Sequence, residues 1–209
     1  MRAPLLLLFL QLVFAGAAQQ PDSTFYTSGA LRSTGERRDG QPDGLWVHYY
    51  PGGVQSAKLH YREGMLDGSQ AYFAENGQLI AEENWKADLL EDSATYYYEN
   101  GQLEKKGTYK NGLYEGRWVF YYENGLLKRE GFYQEGLPQK KWQFYFENGQ
   151  LNQSGILKDG KEEGLWKYFS EEGEPLYEGE WSEGERIGEW YYFKKGKKKR
   201  WKDYGLKKR

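Results

Sequence analysis

The sequence predicts an all-β protein: an elongated, single-layer array of stacked antiparallel β-hairpins with a 24-residue period. Three observations carry this. Stepping by 24 from Gly44 reaches Gly68, Asp92, Gly116, Lys140, Gly164 and Gly188, with no insertion or deletion. The chain holds 19 Tyr, 8 Trp and 27 Gly, a composition of pleated surfaces and tight turns rather than of an aliphatic globule. Asn-Gly pairs recur between aromatic-rich runs, the strongest short-range signal for a hairpin. No apolar stripe of helical period is sustained, and a Gly every few residues disfavours helix.

The elements follow in chain order. Residues 1–18 read as a secretory signal: Arg2, an apolar run from Leu5 to Phe14 interrupted only by Gln11, then small residues from Ala15 to Ala18. The run is shorter than the roughly 20 residues needed to span a bilayer. A secreted or periplasmic location is therefore expected. The repeat array is placed at 19–193. It opens with a partial unit at 25–43, in which Phe25, Gly29, Leu31, Gly35 and Gly40 are in phase. Full units follow at 44–67, 68–91, 92–115, 116–139, 140–163 and 164–187, and a truncated unit starts at 188. Residues 194–209 form a basic tail with net charge +9, which leaves −11 for the rest of a chain of net charge −2.

Each unit has the same internal order. Two residues past the anchor stand Trp46, Gln70, Ala94, Trp118, Trp142, Trp166 and Trp190. Five past it, every unit is aromatic: Tyr49, Phe73, Tyr97, Tyr121, Tyr145, Phe169 and Phe193. A turn such as Glu123-Asn124-Gly125 comes next, then a Leu (Leu79, Leu103, Leu127, Leu151). Seventeen past the anchor lie Tyr61, Trp85, Tyr109, Tyr133, Leu157 and Trp181, and a second turn such as Asn111-Gly112 leads to the next unit. Isolated hairpins are marginal in water, so each must stack on its neighbours.

The face of each side chain depends on loop length. A two-residue Asn-Gly loop, with both residues at positive φ, sets the Trp position opposite a Gly such as Gly107, Gly131, Gly155 or Gly179, so that the indole covers bare backbone. It places Trp118, Phe120, Tyr122, Leu127 and Tyr133 on one packed face and the Tyr121 column on the other. A three-residue loop reverses part of this, because one residue of slip moves side chains across the sheet.

Two stretches resemble a known family. Tyr177-Glu178-Gly179-Glu180-Trp181-Ser182-Glu183-Gly184, followed by Gly188-Glu189-Trp190, is similar to the MORN repeat. Tyr97-Tyr98-Glu99-Asn100-Gly101-Gln102-Leu103 resembles the bacterial MORN-variant repeat of the YwqK-type antitoxin family. The resemblance implies a MORN-like repeat solenoid acting as an interaction scaffold. Some members are linked to membranes and lipids, and the bacterial subfamily is labelled antitoxin or immunity partner of a toxin.

Signals for catalysis are sparse. Cys is absent, and the two His, His48 and His60, offer too few ligands for a metal site. No nucleophile motif accompanies them. A row of turn carboxylates (Glu75, Glu99, Glu123, Glu147, Glu171) repeats at about 10 Å, two strand spacings, and reads as a solvated edge rather than a facing acid–base pair. No enzyme activity, metal or cofactor is expected. The expected function is an exported scaffold for protein–protein interaction. The alternatives are an antitoxin with a toxin partner and a binder of envelope glycan or lipid; nucleic acid is not an expected partner. The candidate binding face is the column Tyr49, Phe73, Tyr97, Tyr121, Tyr145 and Phe169. Lys197, Lys198, Lys199 and Arg200 are the candidate contact for an anionic surface.

Overall fold

The computed structural model describes residues 21–201. The expected signal at 1–18 and residues 202–209 of the basic segment lie outside the described residues. The strands are β1 (Asp22–Phe25), β2 (Leu31–Arg38), β3 (Gln41–Tyr49), β4 (Gln55–Arg62), β5 (Met65–Leu66), β6 (Gly68–Phe73), β7 (Leu79–Lys86), β8 (Leu89–Tyr97) and β9 (Leu103–Lys110). They continue as β10 (Leu113–Tyr121), β11 (Leu127–Gln134), β12 (Leu137–Tyr145), β13 (Leu151–Lys158), β14 (Lys161–Phe169), β15 (Pro175–Ser182), β16 (Glu185–Lys194) and β17 (Lys197–Arg200). All 17 belong to one antiparallel sheet, each strand pairing with its sequence neighbours except that β5 and β6 both pair with β4. At about 4.8 Å per strand the described sheet runs roughly 70 Å along its stacking direction.

The two turns of a unit differ. Between units the loop is two residues long, both at positive φ: Asn111 at 51° and Gly112 at 78°, bracketed by the Lys110↔Leu113 pair. Within a unit the loop has three residues, not the two expected. The Gly125 N–H donates to the Tyr122 carbonyl at 2.9 Å, and the Tyr122 N–H to the Leu126 carbonyl at 2.8 Å. Of the loop residues only Gly125 has positive φ, 83°. Asn124 instead caps the turn: its Oδ1 accepts the Leu126 N–H, and its Nδ2 donates to the Glu147 carbonyl of the next unit at 2.8 Å. Asn100 and Asn148 make the same inter-unit bond.

A β-bulge compensates for the longer loop. Tyr121 pairs with Leu127, but Phe120 pairs with Arg129, so Lys128 is the extra residue. Trp118 consequently stands opposite Gly131, the expected pairing, although the loop that produces it is different. On the turn side of the bulge the expectation fails. Leu127 pairs with Tyr121 and therefore shares the column's face, and neither it nor Tyr122 joins the packed cluster around Trp118, Phe120, Trp142 and Tyr133.

The Trp packing also differs from expectation. The indole does not cover the Gly opposite it; it covers the Gly eleven residues earlier, on the preceding strand. A Cβ built on Gly107 would lie 2.3 Å from the Trp118 ring, and one on Gly131 would lie 2.2 Å from that of Trp142. Gly35 with Trp46, Gly155 with Trp166 and Gly179 with Trp190 repeat the contact. The anchor produces this geometry. Glu115 pairs with Thr108 and Val119 with Lys106, so Gly116, Arg117 and Trp118 face Gly107 alone. Gly116, at φ 68°, starts the excursion that lays the ring over Gly107, and Trp118 Nε1 donates to the Thr108 carbonyl at 2.9 Å. The five Trp of this row are 0–4% exposed.

Asp92 and Lys140 hold the anchor conformation without being Gly, each at φ 62°. Asp tolerates this region better than Lys does. Lys140→Gly is therefore expected to stabilise the protein by about 0.5–1 kcal/mol, net of the lost contact with the Phe132 ring. A urea midpoint that moves down instead of up would refute this account of the anchor.

Candidate functional site

The two faces of the sheet carry different chemistry. One is occupied by the Trp row and its flanking rings: Tyr109 stands edge-on to Trp118 at 5.1 Å, and Tyr133 to Trp142 at 5.1 Å. The other carries the predicted column. Neighbouring residues of a strand point to opposite faces, and the contacts of the column follow that rule. Tyr96 donates to Glu83 at 2.7 Å, whereas Tyr97 donates to Glu82 at 3.3 Å. Burial, and then Glu82, hold the Tyr97 hydroxyl above its ordinary pKa; burial and then Glu130 do the same for Tyr145. Arg117 is ion-paired to Glu130 at 2.6 Å on this face, and Lys58 lies 5.9 Å from the Phe73 ring centre.

The column is broader than the sequence indicated. The pairs Phe73↔Leu79, Tyr97↔Leu103, Tyr121↔Leu127 and Tyr145↔Leu151 put a Leu beside each aromatic. Tyr49 and Phe169 end the stripe beside Gln55 and Pro175. All six column residues are half-buried. A two-residue loop would put these Leu on the other face. The same three-residue loop closes over Thr27-Ser28-Gly29 and Pro51-Gly52-Gly53, so what the units share is its final Gly at positive φ.

The basic segment from Lys194 to Arg200 lies in β16, a two-residue loop and β17. Strand pleating divides the four candidate cations. Lys198 pairs with Glu178 at 2.6 Å and Arg200 with Glu189 at 2.7 Å, while Lys199 sits opposite Tyr192. The Trp201 ring lies 6.1 Å from that of Tyr177 and 6.3 Å from that of Tyr192, beside an open groove of about 940 Å³ that Lys199 and Leu176 also line.

Other candidates remain apart. The turn carboxylates are exposed. His60 Nδ1 is 2.5 Å from the Ser69 carbonyl, whereas His48 packs 6.5 Å from Trp46. Burial, and then Arg32, lower the His48 pKa. Among the described residues no three His, Asp or Glu are grouped to hold a metal ion.

A cluster that sequence reasoning missed lies where the Trp row is interrupted. Gln70 and Ala94 replace Trp, and at the matching positions eleven residues earlier Leu59 and Glu83 replace Gly. Gln70 is fully buried and donates to the His60 carbonyl at 3.1 Å, ten residues back, as Trp118 does to Thr108. Glu83 accepts from Trp85 Nε1 at 2.9 Å and from the Tyr96 hydroxyl. Burial, with Glu83 next, pushes the Tyr72 pKa up to about 12. The joint loss of Trp and Gly at this spacing was the signal in the sequence.

Comparison with known families matches the MORN repeat variant at residues 66–87, 93–111, 114–135, 138–159 and 162–183, just over half of the chain. No curated protein matches. Solved structures with detectable likeness include one titled "Crystal Structure of TcdB2-TccC3-Cdc42" (11% identity, 83% of this chain, 13% of that one, TM-score 0.20) and "Crystal Structure of TcdB2-TccC3" (12% identity, 83% of this chain, 14% of that one, TM-score 0.19). The chain thus spans about an eighth of the length of the first of these, and TM-scores this low carry no argument.

Proposed function

The chain belongs to the MORN repeat variant family, and from that premise we propose that it is an exported, non-enzymatic scaffold that binds a protein partner through the face opposite its Trp row. The observation that carries the reading is the aromatic–Leu stripe. The Trp, the matching Gly and the rings edge-on to the Trp are consumed in stacking the hairpins. The stripe is not: it repeats at about 10 Å along the second face, half-exposed, with ion pairs such as Arg117–Glu130 beside it. Flat aromatics flanked by Leu and fringed by charges make the kind of surface that anchors protein interfaces. The non-enzymatic part of the reading rests on the family, whose repeats are generally non-catalytic, and export rests on the sequence of the N-terminal segment.

The test is capture of the native partner from envelope and secreted fractions. Replacing Phe73, Tyr97 and Tyr145 together with Ala is expected to abolish capture while the near-ultraviolet signal of the Trp row is retained. Undiminished capture would refute the assignment of this face. Capture that free glycan displaces would favour the glycan-binding alternative.

A further inference from the structure

Where stacking positions depart from pattern they do so in matched pairs, such as Ala94 with Glu83, whereas cations introduced at otherwise uncharged positions mark something stacking does not require. Lys105 and Arg129 occupy the same position in consecutive units. Its equivalents are Ser33, Ala57, Ala81, Gln153 and Tyr177, none of them charged. Both pair with Phe120, one from each side: Phe120↔Lys105 and Phe120↔Arg129. The bulge residue Lys128 lies beside them. The three cations, together with Tyr114, Phe120 and Tyr121, line a pocket of about 200 Å³. Glu104 is the one acid in the lining, so the lining carries a net charge of +2.

Among the described residues no carboxylate forms an ion pair with these cations. The ion pairs of the described residues involve Arg37, Arg38, Arg62, Arg117, Lys198 and Arg200. Lys105 Nζ instead donates to the Tyr114 hydroxyl at 3.2 Å and lies 4.3 Å from the Tyr96 ring centre. The Arg129 guanidinium lies 4.2 Å from the Phe120 ring centre, and its buried Nε has no hydrogen-bond partner. A planar guanidinium stacked on an aromatic ring keeps its in-plane donors free for a planar acceptor.

We propose that this pocket receives a carboxylate side chain from an acidic segment of the partner protein. The inference rests on the protein-scaffold reading: Lys105, Phe120 and Arg129 lie on the Trp-row face, and the acidic segment is the part of the partner that passes around the turn end of the hairpins from the aromatic stripe, whose Tyr121 also lines the pocket. Three features select a carboxylate on a peptide. The pocket volume suits one Asp or Glu side chain. The aromatic walls accept its methylenes, and the Arg fork matches its two oxygens.

The probe is a short blocked oligoglutamate peptide, with an oligoserine peptide as the neutral control, titrated against the folded chain at low salt. Saturable binding of oligoglutamate alone is expected. It should weaken about tenfold in Arg129→Gln, and similarly in Lys105→Gln, and remain unchanged in Lys167→Gln, at an exposed position. Added salt should weaken it. No saturable binding, equal loss in Lys167→Gln, or displacement by inorganic phosphate at concentrations where acetate has no effect would each overturn the assignment. Capture of the native partner distinguishes this inference from the function it rests on. Oligoglutamate binding with no partner captured sinks the scaffold reading and leaves the pocket. A partner captured equally well by Arg129→Gln sinks the pocket and leaves the scaffold.

Discussion

Replacing Gly131 with Ala is expected to destabilise the protein by about 2–3 kcal/mol, an effect that no inspection of β11 alone would anticipate. The new Cβ would lie 2.2 Å from the Trp142 ring, on the next strand pair, and the ring has nowhere to move because Tyr133 stands edge-on against it at 5.1 Å. Trp142→Ala by itself is expected to cost about 3–5 kcal/mol by emptying the site. In that background Gly131→Ala should change sign and stabilise by about 0.5 kcal/mol, since Ala is then the better strand residue. The strongest form of the test uses Trp118, which stands directly opposite Gly131. Trp118→Ala should leave the full cost of Gly131→Ala in place. Urea midpoints for the two double-mutant cycles decide the matter. Coupling of Gly131 to Trp118 rather than to Trp142 would show that the indole covers its hairpin partner, as the simpler reading of the sequence has it.

Raising the pH from just below 10 toward 12 is expected to lower stability steeply. The tyrosines on the Trp face hold their protons more firmly in the folded chain than in the unfolded one. Burial comes first for Tyr72 and Tyr168, and each is raised from 10.0 to about 12. Burial also raises Tyr96 and Tyr109; the hydrogen bonds with Tyr109 and Glu83 add to the rise at Tyr96, while at Tyr109 the bond with Tyr96 acts against it and Tyr114 and Glu83 add to it. The sign follows from linkage. Below pH 10 both states are protonated, and the contribution of these groups is fully present. Between 10 and the folded value the unfolded chain releases protons that the folded chain retains, so unfolding is favoured increasingly as pH rises. Urea midpoints followed across that window, in the native chain and in Tyr72→Phe and Tyr168→Phe, measure the effect. Each variant should lose part of the slope. Glu83→Gln should also reduce it, because removing the carboxylate lowers the folded values of Tyr72 and Tyr96. A midpoint that is flat from pH 10 to 12, or a slope that stays that of the native chain in all three variants, would contradict this account.

Glu83 also shows how far repeat logic reaches. An aligned reading of the units makes Ala94 and Glu83 look like two unrelated departures from pattern. In the fold they are a single exchange. Without an indole to place, the position beneath it need not be Gly, and a carboxylate occupies the space and takes the hydrogens of Trp85 and Tyr96. Gln70 with Leu59 is a second version of the same exchange. Lys105 and Arg129 are departures of another kind, since no partner residue changes with them to absorb their charge.

The sequence by itself determined the architecture. A gapless 24-residue phase with two turns per period admits little other than stacked hairpins, and the aromatic column lies on the face opposite the Trp row as its odd spacing from Trp demands. The Asn111-Gly112 class of turn was legible for the same local reason: both residues are among the few that accept positive φ. Only the tertiary structure decided which glycine lies under each indole, on which face Leu127 falls, and which cations are already neutralised. Those outcomes depend on bulges at Lys128, between β10 and β11, and at Gly116, between β9 and β10. A bulge adds a residue to one strand and changes every pairing beyond it, and its energy comes from the neighbouring strand rather than from the residues that form it. For that reason the Trp-over-Gly contact, which ties each unit to the one before it, was written in the sequence at a spacing of eleven but could be assigned only once the units were stacked.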